Sequence, residues 1–205
     1  MRHSGSFHQL RRTARPGVQN VTINPTMHDT PYVSRAAEKL IAALDQFGVD
    51  PAGLICADLG CNVGGFTDVL LRRGAQKVYA VDTGYGALAW KLRQHEQVVV
   101  MERTNALHVD PPEDAPLVVI DLGWTKQDRA IPAAMRWHPR QIITLIKPHY
   151  EAGNPRLDEH ESLAMLEQTL EAMPGLGVRV IDHLLSPIVG AKGRNIEYLA
   201  LVEPQ

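Results

Sequence analysis

Residues 58–66 combine an acidic residue with a cluster of glycines. They read Asp-Leu-Gly-Cys-Asn-Val-Gly-Gly-Phe, follow the apolar run 54–57 and precede a helix-like segment. A strand, a glycine turn and a helix in this order let the backbone approach a nucleotide-like ligand closely. The glycines are spaced G-x-x-x-G-G, which differs from the G-x-G-x-x-G spacing of dinucleotide sites. This spacing favours S-adenosylmethionine, which has an adenosine group but no pyrophosphate, over NAD.

A second acidic residue, Asp82, ends the next apolar run, about twenty residues beyond the glycine turn. An acid at this position binds ribose hydroxyls in both NAD and S-adenosylmethionine folds. Gly84 and Tyr85 follow at once, and we expect them to form the floor beside the adenosine. Asn105 follows the third apolar run, where it is either a contact to the adenine edge or a turn-forming residue. The pattern predicts cofactor contacts at Asp58, Gly60, Gly64, Gly65, Asp82, Gly84, Tyr85 and Asn105.

Two further charged residues stand at the ends of apolar runs. Lys147 lies in Leu-Ile-Lys-Pro, and Asp121 ends Val-Val-Ile-Asp. A buried ammonium without a partner is very unfavourable, so Lys147 must emerge at the sheet edge or be paired. If the two strands are neighbours, Lys147 and Asp121 share a cleft. Lys39 and Glu197 are the other charged candidates, although their spacing alone is typical of surface ion pairs.

Apolar runs that alternate with helix-like segments position these residues. We predict strands over 54–59, 77–82, 98–102, 117–122, 141–147, 178–185 and 196–202. Helices are expected over 34–47, 65–73, 87–94, 131–137 and 159–173, the first with Ser34 as its N-cap. Mostly apolar strands separated by helices indicate an α/β fold whose mostly parallel, seven-stranded sheet is covered on both faces. Because no helix separates the last two strands, the last strand is predicted to be antiparallel.

Composition and length set further limits. The 205 residues suffice for one α/β domain, and the net charge of −2 gives no overall basic field. The two cysteines are expected to be reduced thiols of a cytoplasmic protein, and no apolar run is long enough to span a membrane. The one H-x-E motif, at His149, lacks a following C-x-x-C, so we predict no metal site. Residues 1–31 are predicted to be a flexible basic arm that either touches phosphate or is simply solvated.

Three single residues have two interpretations each. Trp124, just past Asp121, is either a platform for a flipped-out base or a packing residue of the rim. Trp90 has Leu88 and Leu92 nearby on one predicted helix, which favours a place in the core over one at the surface. His149 either contacts substrate or faces solvent from a loop.

Several short motifs recur in the order seen in one enzyme family. They are YVSRAAEKL (32–40), DLGCNVGGFTD (58–68), VYAVDTGYG (78–86), LAWKLR (88–93), ERTN (102–105), LIKPHYE (145–151) and SPI (186–188). Through them the chain resembles the TlyA/hemolysin-type methyltransferases, which belong to the FtsJ-like ribose 2′-O-methyltransferases. The resemblance implies a Rossmann-like, S-adenosylmethionine-dependent methyltransferase domain over residues 32–205.

The resemblance also implies roles for individual residues. It implies a Lys-Asp-Lys-Glu tetrad acting on RNA, with ribosomal RNA the expected class, and the matching residues are Lys39, Asp121, Lys147 and Glu197. It places Gly60, Asn62, Gly64, Gly65, Phe66 and Asp82 around the cofactor. The chain departs from the family in its first thirty residues, which are too short and proline-broken for the usual S4 RNA-binding domain. It also departs in Cys61-Asn62-Val63, where small hydroxyl residues are usual.

The leading hypothesis is an S-adenosylmethionine-dependent RNA ribose 2′-O-methyltransferase, and three others compete with it. A small-molecule methyltransferase would usually carry an inserted lid, and none is visible. A non-catalytic RNA-binding protein would not need the four charged residues, and a nicotinamide oxidoreductase would have another glycine spacing. The sequence leaves open the target nucleotide, the oligomeric state and the direction in which the pKa of Lys147 shifts, since desolvation lowers it and Asp121 raises it.

Overall fold

The computed structural model describes residues 31–190 and 195–205. The predicted basic arm therefore lies outside the described residues, except for Pro31. The helices are α1 (Ala37–Phe47), α2 (Gly65–Arg72), α3 (Trp90–Arg93), α4 (Gln127–Met135), α5 (Pro148–Glu151) and α6 (Glu159–Ala172), and a 3-10 helix spans Met173–Leu176. The strands are β1 (Ile55–Leu59), β2 (Lys77–Val81), β3 (Val98–Met101), β4 (Leu117–Ile120), β5 (Gln141–Ile146), β6 (Val178–Leu185) and β7 (Tyr198–Pro204).

The described strands form one seven-stranded sheet in the order β3-β2-β1-β4-β5-β7-β6. The pairs among β3, β2, β1, β4 and β5 are parallel, and β7 is antiparallel to both β5 and β6. The predicted mostly parallel sheet with an antiparallel last strand is confirmed. The order of strand addition reverses between β1 and β4, and open α/β sheets bind their ligands at such a switch point.

Two hydrophobic layers lie on opposite faces of the sheet, because successive side chains of a strand point to opposite sides. On one face Cys56 of β1 belongs to a cluster with Leu40 of α1 and Phe66 of α2. On the other face Ala57 belongs to a cluster with Ile131 of α4 and residues of α6. Helices thus cover both faces, as the apolar strands predicted.

Two helices near the site differ from the prediction because tertiary contacts, rather than local periodicity, set their ends. Helix α4 begins at Gln127, before the predicted start at 131, and the Gln127 N–H donates to the Glu151 carboxylate at 2.9 Å. Helix α5 was not predicted. Pro148, which was expected only to stop the strand, also occupies the first turn of this short helix, a position that suits proline.

Three other predicted boundaries were wrong. Ser34 is not the N-cap of α1, which begins at Ala37; the Ser34 hydroxyl instead accepts from the Ala36 N–H in the preceding turn. Helix α3 begins at Trp90 rather than 87, and β7 runs to Pro204 rather than 202. None of the helices in the described part of the chain is long and apolar enough to cross a membrane.

Candidate active site

The glycines of the turn between β1 and α2 allow close backbone packing. Gly60 has φ +93°, and a Cβ there would lie 2.5 Å from the backbone oxygen of Asp121. Gly64 has φ +100°, and a Cβ there would lie 2.4 Å from Leu92 of α3. A Cβ on Gly65 would meet the Ser34 hydroxyl at 2.9 Å. The turn is therefore pressed against the end of β4, against α3 and against the segment before α1.

The departure from the family at Cys61 has a packing explanation. Cys61 is buried in a small cluster with Ala80, Leu88 and Leu92, so it fills an apolar space between the turn and α3. Burial raises the pKa of its thiol far above the usual range, so the thiol is protonated at neutral pH. Phe66, which the resemblance assigned to the cofactor, lies in the core beside α1, and a cofactor contact there stays a prediction.

Asp58, in β1, is completely buried beneath the turn. The Thr67 hydroxyl donates to its Oδ2 at 2.6 Å, while its Oδ1 has no hydrogen-bond partner among the described residues. Burial raises the pKa of the Asp58 carboxyl to about 7; the Thr67 hydrogen bond opposes this shift and the negative charge of Asp121 adds to it. A buried oxygen without a partner is unusual in a native protein and calls for a functional explanation.

Asp82 joins the glycine turn to the loop after β2. Its Oδ2 accepts from the Asn62 N–H at 2.9 Å, and its Oδ1 accepts from the Gly84 N–H at 2.7 Å. Each carboxylate oxygen has a further lone pair, so Asp82 can hold the loop and still accept from a ligand hydroxyl. Asn62 is exposed with φ +46°, a conformation that asparagine tolerates better than most residues.

Two other predicted cofactor residues, Tyr85 and Asn105, lie in the loops that follow β2 and β3. Tyr85 is exposed, with the Arg103 guanidinium 4.2 Å above its ring. Asn105 is exposed as well, and its Oδ1 accepts from the Leu107 N–H at 3.0 Å, so it forms a local turn. Trp90 is 69% exposed, and its predicted place in the core was wrong because α3 turns Leu92 inward instead.

The four charged candidates meet at the carboxyl ends of β4 and β5. Lys147 Nζ lies 2.6 Å from Asp121 Oδ1, and Lys39 Nζ lies 2.6 Å from Glu197 Oε2. Lys39 also lies 3.8 Å from Asp121 Oδ2, which links the two pairs into one cluster. Lys39, Lys147 and Glu197 are buried, and Asp121 is partly exposed. The structure thus brings together residues that are far apart in sequence; we call this group the tetrad.

Neighbouring charges shift the pKa values of two tetrad members, Asp121 and Lys147. Burial alone would raise the pKa of Asp121, but the ammonium groups of Lys147 and Lys39 outweigh burial and lower it. Burial alone would lower the pKa of Lys147, but the carboxylates of Asp121 and Glu197 outweigh burial and raise it. These contacts favour the ammonium form of Lys147.

A pocket of about 760 Å³ is lined in part by Tyr150, and Lys147 Nζ lies 5.4 Å from the centre of the Tyr150 ring. The rings of Trp124 and Tyr150 stack in it, with centroids 4.9 Å apart and an interplanar angle of 22°. Trp124 is 84% exposed and has φ +54°. His149 lines the pocket too, and burial lowers the pKa of its imidazole. We call this the aromatic pocket, and its lining residues are Trp124, Lys126, His149, Tyr150, Gly153, Pro155, Arg156 and Asn195.

Most of the aromatic pocket was missed by sequence reasoning. Tyr150 lies in α5, Lys126, Arg156 and Asn195 lie in three separate loops, and none directly follows a strand. The nearest signal was the position of Trp124 just beyond Asp121. Within residues 31–190 and 195–205, no cluster of His, Cys, Asp and Glu side chains is arranged to hold a metal ion.

The family that this geometry suggests is matched directly. A family model for FtsJ-like methyltransferases matches residues 32–198. The chain belongs to the FtsJ-like methyltransferase family. It is 38% identical over 190 residues to the 16S/23S rRNA (cytidine-2′-O)-methyltransferase TlyA of Mycobacterium tuberculosis, a match that covers 85% of this chain and 69% of that protein. It is 36% identical to Hemolysin A of Brachyspira hyodysenteriae, covering 82% of this chain and 75% of that one.

Solved structures share the fold of this FtsJ-like chain. A hemolysin from Streptococcus thermophilus superposes with a TM-score of 0.82 and 33% identity, over 88% of this chain and 70% of that chain. A magnesium protoporphyrin IX methyltransferase from Synechocystis with bound S-adenosylmethionine shares 16% identity over 83% of this chain and 78% of that chain at a TM-score of 0.54, which shows the fold alone. The Rossmann-like methyltransferase fold that the motifs implied is confirmed.

Proposed function

We propose that this FtsJ-like protein transfers a methyl group from S-adenosylmethionine to a ribose 2′-hydroxyl of ribosomal RNA, in the cytoplasm. The observation that carries the proposal is the tetrad, which meets the glycine turn where Gly60 packs against Asp121 and the aromatic pocket where Lys147 lies over the Tyr150 ring. The reaction class is supported by the family and by the TlyA relative, whose name gives it as an rRNA cytidine-2′-O-methyltransferase. The domain of this enzyme is proposed to be residues 32–205.

The residues of the turn fit the proposed cofactor. The orphaned Oδ1 of Asp58 offers an acceptor beneath the turn, and the carboxylate of Asp82 offers lone pairs at the end of β2. S-adenosylmethionine, when bound, supplies a methyl group on a positively charged sulfur that leaves as a neutral thioether. Asp82, which follows β2, places a carboxylate beside the glycine turn and favours a ligand that carries positive charge.

Lys147 acts on the ribose oxygen in this proposal. Its ammonium donates to Asp121 Oδ1 at 2.6 Å and to the Leu122 carbonyl at 3.1 Å. An ammonium has three N–H donors, so one is left for the hydroxyl oxygen of the substrate. Because its pKa is raised, Lys147 keeps its own proton; it orients that oxygen and stabilises the negative charge that develops on it while the hydroxyl proton passes to solvent water.

The other members of the tetrad hold Lys147 in place. Asp121 fixes the ammonium through a short ion pair, and Gly60 lets the turn approach Asp121 closely. Glu197 and Lys39 form the second pair and bring the last strand to the site. Alignment of the attacking oxygen, the methyl carbon and the sulfur supplies a large part of the rate in such transfers, so a rigid cluster is favoured.

The aromatic pocket is proposed to receive the target nucleotide. The exposed face of Trp124 offers a stacking surface for a base, and such stacking is worth about 1–3 kcal/mol per base. Lys126 and Arg156 at the rim can pair with flanking phosphates. Their position supports the proposal, because a local cluster of cations can attract RNA even where the net charge of the chain is −2.

The test is a transfer assay with methyl-labelled S-adenosylmethionine on ribosomal subunits, total RNA and tRNA, followed by mapping of the labelled nucleotide. We expect label on a ribose 2′-oxygen of ribosomal RNA. The Lys147→Ala protein should lose transfer by about a thousandfold or more, while its affinity for the cofactor stays within about threefold. Lys77→Ala is the matched control, since Lys77 is also ion-paired but at the start of β2.

Three outcomes would contradict the proposal. One is the absence of label on every RNA. Another is a Lys147→Ala protein that is as active as the Lys77→Ala control, which would remove the role of the tetrad. A third is label on a base nitrogen or carbon. That result would agree with the proposed cofactor but would show that the enzyme methylates a base and not a ribose.

A further inference from the structure

A hydrogen-bond network lies behind the aromatic pocket and joins β5, α4 and α5. Its centre is Gln127, which is buried at the start of α4. Gln127 Nε2 donates to the Leu145 carbonyl at 3.1 Å, and Gln127 Oε1 accepts from the Thr144 hydroxyl at 2.8 Å. The backbone N–H of Gln127 donates to the Glu151 carboxylate of α5 at 2.9 Å. One residue therefore connects three elements that meet at the site.

Each connected element carries one part of the active site. Strand β5 ends directly before Lys147, and the loop before α4 carries Trp124. Helix α5 carries Tyr150, whose ring stacks on that of Trp124. A second contact supports the same junction, since the Lys126 ammonium donates to the Glu151 carbonyl at 2.7 Å. The distance between the stacked rings and the lysine is thus set by the network and not by either loop alone.

A polar network at this place needs an explanation, because an apolar residue of similar volume could fill the space. A buried network whose members all have partners selects a single arrangement of the elements it joins. The amide and hydroxyl side chains of Gln127 and Thr144 are both buried and both paired. Methyl transfer is faster when the reacting groups are held in a single arrangement, since a misplacement of about 1 Å can lower a rate about a hundredfold.

We propose that Gln127 is a positioning residue that fixes the Trp124–Tyr150 stack relative to Lys147, so that a nucleoside on the stack presents its 2′-hydroxyl to the lysine. This inference rests on the proposed function. Gln127 has no hydrogen bond to the glycine turn or to Asp82 among the described residues, so it governs the use of RNA and leaves cofactor binding alone.

The first experiment compares methyl transfer to RNA with cofactor affinity in variants of the full chain. Gln127→Met keeps the volume but removes both side-chain hydrogen bonds. We expect its kcat/KM for RNA to fall at least about tenfold, mainly in kcat, with cofactor affinity within about twofold of the parent. Thr169→Val is the matched control: it removes a buried hydroxyl that donates to the Met165 carbonyl within α6, and it should leave RNA kinetics unchanged.

A double variant separates positioning from stability. Gln127→Met leaves the Thr144 hydroxyl buried without a partner, and Gln127→Met with Thr144→Val removes that hydroxyl as well. Removal of both partners is expected to recover much of the lost thermal stability. If Gln127 positions the stack, the double variant regains stability while its kcat for RNA stays low. If kcat recovers together with stability, Gln127 is structural only and the inference is overturned.

Fluorescence gives a readout that stability alone would not move. In a Trp90→Phe parent, the described tryptophans are the exposed Trp124 and the buried Trp137. Acrylamide quenching then reports mainly on Trp124, and we expect it to change in Gln127→Met because α4 and the loop that carries Trp124 shift when their side-chain bonds to β5 are lost. Unchanged quenching would also overturn the inference. A parent that methylates no RNA would instead contradict the proposed function, so the two failures are distinguishable.

Discussion

Replacement of Asp58 by asparagine is expected to stabilise the protein in mildly alkaline solution and to lose that advantage in acid. The carboxyl of Asp58 is completely buried, and its pKa is raised from 3.8 to about 7. Between these values the unfolded chain has released the proton and the folded protein still holds it. The free energy of unfolding of the wild type therefore falls as the pH rises from about 4 to about 7, and this contribution is constant above that.

The size of the effect follows from the shift. A shift of about three pKa units corresponds to about 4 kcal/mol in full, of which about 2–3 kcal/mol is lost between about pH 5 and about pH 8. Asparagine has no charge to bury, and its amide oxygen can still accept from Thr67. Its N–H2 group replaces an oxygen that has no partner and adds a penalty of about 1–3 kcal/mol at every pH. The gain of Asp58→Asn over wild type should thus rise by about 2–3 kcal/mol between about pH 5 and about pH 8.

Urea unfolding of both proteins at several pH values measures this difference, and comparison of the two cancels the other titrating groups. Asp45→Asn is the matched control, because Asp45 is an exposed aspartate paired with Arg73. Its effect should stay below about 1 kcal/mol across the range. A difference between Asp58→Asn and wild type that does not change with pH would refute the reasoning, since it would mean that the folded protein binds no extra proton at Asp58.

Three further substitutions test separate parts of the site. Gly60→Ala should weaken cofactor binding at least about tenfold by titration calorimetry, since its Cβ would lie 2.5 Å from the Asp121 oxygen; Gly53→Ala, strained at φ +71° but with open space, should bind normally. Trp124→Ala should lower kcat/KM for RNA about tenfold to a hundredfold while Trp124→Phe keeps most of it, and equal losses would argue against stacking. Lys39→Met should destabilise the fold by about 3–5 kcal/mol in urea because Glu197 is left buried without its ammonium partner; a smaller loss than that of Lys77→Met would contradict the buried pair.

The sequence predicted those parts of the fold that depend on local pattern. Continuous apolar runs predicted a parallel sheet, and the polar residues that end them, Asp82, Asp121 and Lys147, lie at its carboxyl edge. Lys39 and Glu197 could not be placed by pattern, because their pairing joins α1 to the segment before β7 and depends on the order of the strands. Only the resemblance to a family indicated that they belong with the other two.

Trp90 and Gln127 show where local sequence pattern fails to predict burial. Trp90 has apolar neighbours in sequence, but the short α3 presents Leu92 to the turn and leaves the indole in solvent. Gln127 precedes the predicted helix and has no periodicity of its own, and its burial follows from acceptors on β5 and α5. Polar residues satisfied by distant partners carry no local signal, because the same side chain in the same local sequence would be equally suited to solvent.

The distribution of charge explains how one small domain can hold a cationic cofactor and a polyanionic substrate side by side. The tetrad contains two ammonium groups and two carboxylates, so it is neutral as a unit and attracts neither ligand from a distance. On the side of the glycine turn Asp82 supplies negative charge, and on the side of the aromatic pocket Lys126 and Arg156 supply positive charge. The overall charge of −2 conceals this separation. If the two ligands approach from these two sides, salt should weaken RNA binding far more than cofactor binding, since RNA meets exposed cations and the cofactor meets the partly buried Asp82 carboxylate.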